Sequence, residues 1–381
     1  MNTIKHTPAM GWNSWNTFSE KIDEELLRSS ADAIVSLGLR DAGYEYVVID
    51  DCWSLKRRGS KGDLVADPAK FPSGMKALAD YIHGKGLKFG IYSCAGTRTC
   101  ADYPASFEHE FQDAETFASW GVDYLKYDYC FKPAGIPGNV LYRRMNAALR
   151  NCGRPILFSA CNWGADNVYE WIRTTGAHSF RSTGDIQDNW TSVEKLFKSQ
   201  IGKEPYTGAY CHSDLDMLIV GMKGRSENSW IALGGCTDEE YRTHFSLWAI
   251  YGSPLMIGCD IRNMSDATKE TLMNKDVIAI NQDAECRGAY CVPQWNNPEQ
   301  AMTMVKPLSD GGYALCMVNF GDAPSQVSVQ FWDIGLTSSQ HKGLSLYDCW
   351  SHEDIGAFAD GYADTIAPHA CRLFRGKVVD I

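Results

Sequence analysis

Val122-Asp123-Tyr124-Leu125-Lys126-Tyr127-Asp128-Tyr129-Cys130 is a short apolar run that stops at a lysine and a carboxylate separated by one residue. Residues two apart on a strand point the same way, so Lys126 and Asp128 are expected to share a face and to hold each other ionised. Buried charges are costly unless paired, so such a pair at a strand's end marks a polar pocket. Taken alone, it leaves open an imine-forming lysine or an attacking carboxylate.

The pattern repeats along the chain. Apolar runs at Tyr46-Val47-Val48-Ile49, Leu87 to Tyr92, Ile156-Leu157-Phe158 and Pro254 to Ile257 read as strands. Between the runs, Asp23 to Ser36, Gly74 to His83, Asp113 to Trp120, Leu141 to Leu149, Val193 to Gln200 and Glu239 to Ile250 carry helical spacing. Alternating strands and helices imply a parallel sheet with crossover helices. The length suits an α/β (β/α)8 TIM barrel over residues 1–284, with a doubly wound open sheet as the alternative. No Gly-x-Gly-x-x-Gly follows an early strand, which weakens that alternative. From 285 to 381 the texture becomes alternating strands with Gly and Asp turns, the signature of a small C-terminal antiparallel β-sandwich domain.

Composition narrows the ligand. The formal net charge of the 381 residues is -11, and no basic run occurs, which argues against nucleic acid or an anionic membrane surface as partner. No apolar run reaches the ~18 residues of a membrane span. Twelve Trp and eighteen Tyr suit stacking on sugar rings and suit a core equally well. The N-terminus shows no signal-peptide pattern, and most of the fourteen cysteines sit in strand-like runs as small hydrophobes. A cytoplasmic protein is expected on that basis, although a mature secreted form reads the same; a homo-oligomer stays open.

Polar clusters terminate strand after strand: Asp50-Asp51, Tyr92, Lys126 and Asp128, Cys161-Asn162, Arg181 with Asp185, and Asp214 with Asp216. Strand ends converge at the top of a barrel, so these groups are expected around one pocket. Several carboxylates with a lysine, an arginine and tryptophans point to glycoside hydrolysis, in which one carboxylate attacks and another donates a proton. The nine histidines form no His-x-x-x-His pattern and the cysteines no Cys-x-x-Cys, so neither metal nor cofactor is expected. A Schiff-base aldolase using Lys126 is the rival chemistry, weakened by the acid beside it. A barrel that binds a sugar without cleaving it is the other class; loss of the strand-end carboxylates would be its mark, and they are present.

Gly11-Trp12-Asn13-Ser14-Trp15, Ile49 to Trp53, Gly90-Ile91-Tyr92-Ser93, Leu125 to Asp128, Cys161-Asn162-Trp163-Gly164, Arg181 with Asp185-Ile186, Asp214 to Leu218, Thr243 to Trp248 and Ile280 to Asp283 follow one another in order. Together they resemble the α-galactosidase and α-N-acetylgalactosaminidase family, glycoside hydrolase family 27, the melibiases. The resemblance covers about 285 residues and implies a retaining hydrolase of oligosaccharide or small-molecule α-galactosides. It implies Asp128 as nucleophile and Asp185 as general acid/base, with carboxyls ~5–5.5 Å apart or slightly more and Asp185 holding a proton at rest. It also implies Asp50 and Asp51 on the sugar's 4- and 6-hydroxyls with Lys126 assisting, Trp15 and Tyr92 on its faces, Cys161 in the wall, and Arg181 and Asp216 near the 2- and 3-hydroxyls. A Cys100–Cys130 disulfide beside the sugar is a further implication.

Two departures bear on specificity. Where many relatives carry a glutamate and a bulkier residue near the 2-hydroxyl, this chain has Asn162 and Ala165, a lean toward α-N-acetylgalactosaminidase. A β-L-arabinopyranosidase, which usually alters the acidic pair, fits less well because Asp50 and Asp51 are both present. Cys52 lacks its usual partner in the first loop, and a Cys52–Cys94 contact is an alternative pairing.

Overall fold

The computed structural model describes residues 4–294 and 297–381. Eight parallel strands come first: β1 (Met10–Asn13), β2 (Tyr46–Val48), β3 (Lys88–Cys94), β4 (Tyr124–Asp128), β5 (Leu157–Ala160), β6 (Ser179–Arg181), β7 (His212–Asp214) and β8 (Leu255–Ile257). They lie side by side in chain order, with β8 returning to β1. The gap between β7 and β8 is closed by Leu218, whose N–H donates to Met256 O at 2.7 Å and whose C=O accepts from Gly258 N at 2.9 Å. The result is the barrel expected from the sequence and not the open sheet. Gly11 permits one close approach: a Cβ there would lie 2.5 Å from Tyr46 O on β2.

The intervening helices start and bury as their sequences dictate. Asp23 accepts from Leu26 N at 2.8 Å and caps Glu24–Ser36, whose Leu26, Leu27, Ala31 and Ile34 face the barrel. Thr237 and Glu240 form a reciprocal capping box that opens Asp238–Tyr251. The helices predicted from spacing each appear, with ends displaced by one to three residues: Glu24–Ser36 starts one residue later, and Trp190–Lys198 starts three residues and ends two residues earlier than its spacing indicates.

The remaining strands are antiparallel: β9 (Tyr290–Pro293), β10 (Ala301–Pro307), β11 (Tyr313–Asn319), β12 (Ser325–Gln330), β13 (Lys342–Asp348), β14 (Glu353–Phe358), β15 (Gly361–Ile366) and β16 (Cys371–Asp380). A six-stranded sheet, ordered β14-β13-β16-β11-β10-β9, faces the pair β12-β15. The period of two decides which side chain goes where. Val305, Leu315 and Met317 join Val327 and Val329 inside the sandwich, whereas Met302, Met304, Cys316 and Val318 merge with the barrel's own core. The division at 284/285 is our proposal; it falls in the connection between the helix Lys275–Asn281 and β9. Among the described residues no helix is long and apolar enough to cross a membrane.

Lys306 on β10 is fully buried where the sandwich meets the barrel, and its Nζ donates to Ile280 O at 2.6 Å, at the carbonyl end of a barrel helix. Burial lowers its pKa to about 8, against the opposing charges of Asp283 and Cys286. Between pH 8 and the ordinary 10.5 the unfolded chain therefore binds a proton that the folded chain does not, so stability rises with pH across that window. Lys306→Met is expected to remove that rise in denaturant midpoints measured from pH 7.5 to 10 and to stabilise the chain at pH 7 by ~1–3 kcal/mol. An unchanged pH dependence would show that Lys306 is not the group responsible.

Candidate active site

The C-terminal ends of the strands surround a cavity of about 220 Å³. Nine of the residues expected there do line it: Trp15, Asp50, Asp51, Tyr92, Lys126, Asp128, Arg181, Asp185 and Asp216. Each comes from the end of a strand or from the loop after it, which is how residues far apart in sequence converge in a barrel.

Asp50 and Asp51 follow β2 and are nearly inaccessible to solvent. Asp50 Oδ2 accepts from Asn13 Nδ2 and from Lys126 Nζ, both at 2.8 Å, and its Oδ1 accepts from Asp51 N at 3.0 Å. Asp51 accepts from Cys52 N at 2.7 Å and Ala101 N at 3.0 Å. Burial nevertheless pushes its pKa up to about 6, with those donors pulling the other way.

Lys126 and Asp128 share the face of β4 and stabilise each other's charge as expected, while the ammonium's direct partner is Asp50. Burial works against its charge, yet Asp50 and Asp128 together hold the pKa well above the ordinary lysine value. Asp128, 5% exposed, accepts from Tyr129 N at 2.8 Å. Its pKa is pushed up to about 6 by burial, partly offset by the nearby Lys126 cation and the Tyr129 N–H.

At the mouth, Arg181 grips two carboxylates: Asp216 at 2.6 Å and Asp185 at 2.7 Å. Asp216 stands at φ 87° and accepts from Ile186 N and Met217 N, both at 2.7 Å. Burial carries its pKa up to about 7 in spite of Arg181. Asp185 is open to solvent, its side chain 56% exposed. Arg181 from β6 reaches the loop that carries it and holds it in an ion pair.

Two expected residues are not in the cavity wall. Cys161 is buried behind Arg181, whose Nη1 lies 3.8 Å from its sulfur. Asn162 is fully buried and turns inward, Nδ2 donating to Ala165 O at 2.7 Å. Trp163 lines the cavity instead, since its positive φ of 58° reverses the chain there. Sequence reasoning missed Asn16, Asn228, Trp230 and Ile231, and quoted Trp163, Ile186 and Met217 only as motif positions. The triplet Ser229-Trp230-Ile231, an apolar step in a polar glycine-rich loop, was the available signal.

Cys100 and Cys130 form a disulfide in the wall, and Gly96 makes room for it: a Cβ there would collide with Cys130 O. The other twelve cysteines, including Cys52 and Cys94, are free. Cys94 instead donates to Cys130 O at 3.1 Å. Among the described residues, the one group with metal-ligand proximity is Cys100, Asp128 and Cys130, and its sulfurs are joined to each other. A disulfide offers no thiolate, so this donor set does not fit a metal.

Comparison with known proteins agrees with this geometry. The family described as α-galactosidase A matches residues 7–283, and the α-galactosidase C-terminal β-sandwich domain matches residues 299–375. The α-galactosidase of Cyamopsis tetragonoloba is 44% identical over 374 residues, covering 98% of this chain and 87% of that protein. The crystal structure of α-galactosidase I from Mortierella vinacea superposes with a TM-score of 0.91 at 36% identity, covering 98% of each chain. The α-galactosidase of Saccharomyces cerevisiae solved with raffinose gives 0.88 at 30% identity, again over 98% of each chain. A TIM barrel with a β-sandwich behind it, this cluster of carboxylates at the strand ends, and full-length likeness to those enzymes place the chain in the α-galactosidase family, glycoside hydrolase family 27.

Proposed function

We propose that the chain is a retaining α-galactosidase that removes terminal α-D-galactose from oligosaccharides or smaller galactosides by double displacement. The observation that carries the reading is the contrast between its two key carboxylates: Asp128 is buried at the cavity floor, and Asp185 is half-exposed at the mouth beside Arg181. Asp128 Oδ2, free of the Tyr129 N–H, attacks the anomeric carbon and the glycosidic bond breaks. Asp185 delivers a proton to the departing oxygen. In the second step Asp185 takes a proton from water, which attacks the same carbon and releases Asp128. Asp185 stands exposed to solvent at the mouth, in contact with Arg181.

Asp50 and Asp51, held by Asn13, Lys126 and backbone N–H groups, are acceptors for the 4- and 6-hydroxyls, which favours a hexose over an arabinopyranoside. The ammonium of Lys126, stabilised by Asp50 and Asp128, is the wrong state for imine formation, which removes the aldolase reading. Neither Asn162 nor Ala165 opens the cavity, and Trp163 with the Arg181–Asp216 pair occupies that side, which supports galactose over its N-acetylated analogue. The test is turnover of 4-nitrophenyl α-D-galactoside beside its 2-acetamido analogue. The expected kcat/KM ratio favours galactose by on the order of 100-fold or more. A ratio near one or below would reassign the substrate, and no turnover of either would reject the hydrolase.

A further inference from the structure

The connection from residue 217 to residue 236 carries no helix or strand, yet it is fastened at several points. Ser226 Oγ donates to Asn16 O at 2.5 Å and Glu227 N to Thr17 O at 2.8 Å, tying it to the short helix Trp15–Phe18 that follows β1. Asp188 ties it to the loop after β6: its N–H donates to Ile231 O at 2.9 Å, its carbonyl accepts from Gly235 N at 2.9 Å, and its carboxylate accepts from Gly224 N at 2.6 Å. Asp188 stands three residues after Asp185, so these bonds seat Trp230 beside the loop that carries the proposed proton donor. Trp230 lines the cavity and is also 51% exposed. A pinned backbone thus presents a large indole that lines the cavity and is half-exposed.

Because the departing oxygen must lie within reach of Asp185, whatever is attached to it leaves along that side of the mouth. Sugar rings present patches of C–H that pack on aromatic faces, and an indole held in place loses little freedom when it does so. We propose that Trp230 is the platform for the sugar joined to the scissile oxygen, a binding subsite for the hexose leaving group of an α-galactosyl oligosaccharide. The inference rests on the galactosidase reading and specifies the leaving group that this site favours.

Two substrates that differ only in leaving group test it: raffinose, which places a hexose at the subsite, and α-D-galactosyl fluoride, which places none. Trp230→Ala is expected to lower kcat/KM for raffinose about tenfold while leaving that for the fluoride within about twofold, and Trp230→Phe to restore most of the raffinose value. Equal losses on both substrates would mean that Trp230 only supports the loop, and no loss on raffinose would mean that nothing stacks there; either result overturns the subsite. A parent chain that hydrolyses neither substrate refutes the galactosidase reading itself, an outcome distinct from a failure of Trp230 alone.

Discussion

Asp128→Asn is expected to lower kcat by on the order of 10⁴-fold or more while galactose still binds. The amide has nearly the shape of the carboxylate and can still accept from Tyr129 N, so the cavity keeps its form. What it loses is the anionic oxygen that bonds to the anomeric carbon. A 2-deoxy-2-fluoro galactosyl inhibitor with a good leaving group should therefore label a peptide containing Asp128 in the parent chain and none in the variant. In Asp128→Ala, added azide can enter where the carboxylate stood, forming a carbon–nitrogen bond as the leaving group departs. The product would be β-galactosyl azide, of inverted configuration. Full activity in Asp128→Asn, or labelling of another residue, would refute the assignment.

The second large effect is expected from Lys126→Met. Lys126 Nζ is 2.8 Å from an Asp50 whose side chain is only 2% exposed, so the variant leaves a buried carboxylate without its cation. Breaking such a pair costs ~3–5 kcal/mol, and kcat/KM should fall by on the order of 100-fold or more because Asp50 is also a proposed hydroxyl acceptor. The pH profile separates this positioning effect from simple destabilisation. Asp128 must be ionised to attack, so activity is lost as pH falls through its pKa of about 6. Lys126 lowers that pKa, so its removal raises it and moves the acidic limb of kcat/KM to higher pH. A limb that stays put, or moves to lower pH, would show that Lys126 does not act on Asp128.

The period of the chain made the barrel and the sandwich legible. Alternating apolar strands and amphipathic helices leave few topologies, and the abrupt polar endings at Asp50, Lys126, Arg181 and Asp214 pointed to the strand ends as the site. The resemblance of ordered motifs then named Asp128 and Asp185. Lys126 and Asp128 share a face of β4 and stabilise each other's charge, as their spacing implied, while the direct ion pair of Lys126 is with Asp50 at the end of another strand. At Asn162 the side chain bonds back to Ala165 O and is fully buried, while its neighbour Trp163, at a positive φ, lines the cavity.

By itself the sequence determined the fold class, the family and the identity of the proposed catalytic carboxylates, because each depends on residue type and spacing along the chain. Only the tertiary structure decided which charges pair, namely Lys126 with Asp50 and Arg181 with both Asp185 and Asp216. It alone also brought Trp230 to the mouth, from a loop without any periodic signal. Pairing and burial depend on distances between strands and loops remote in sequence, and those distances exist only once the barrel has closed.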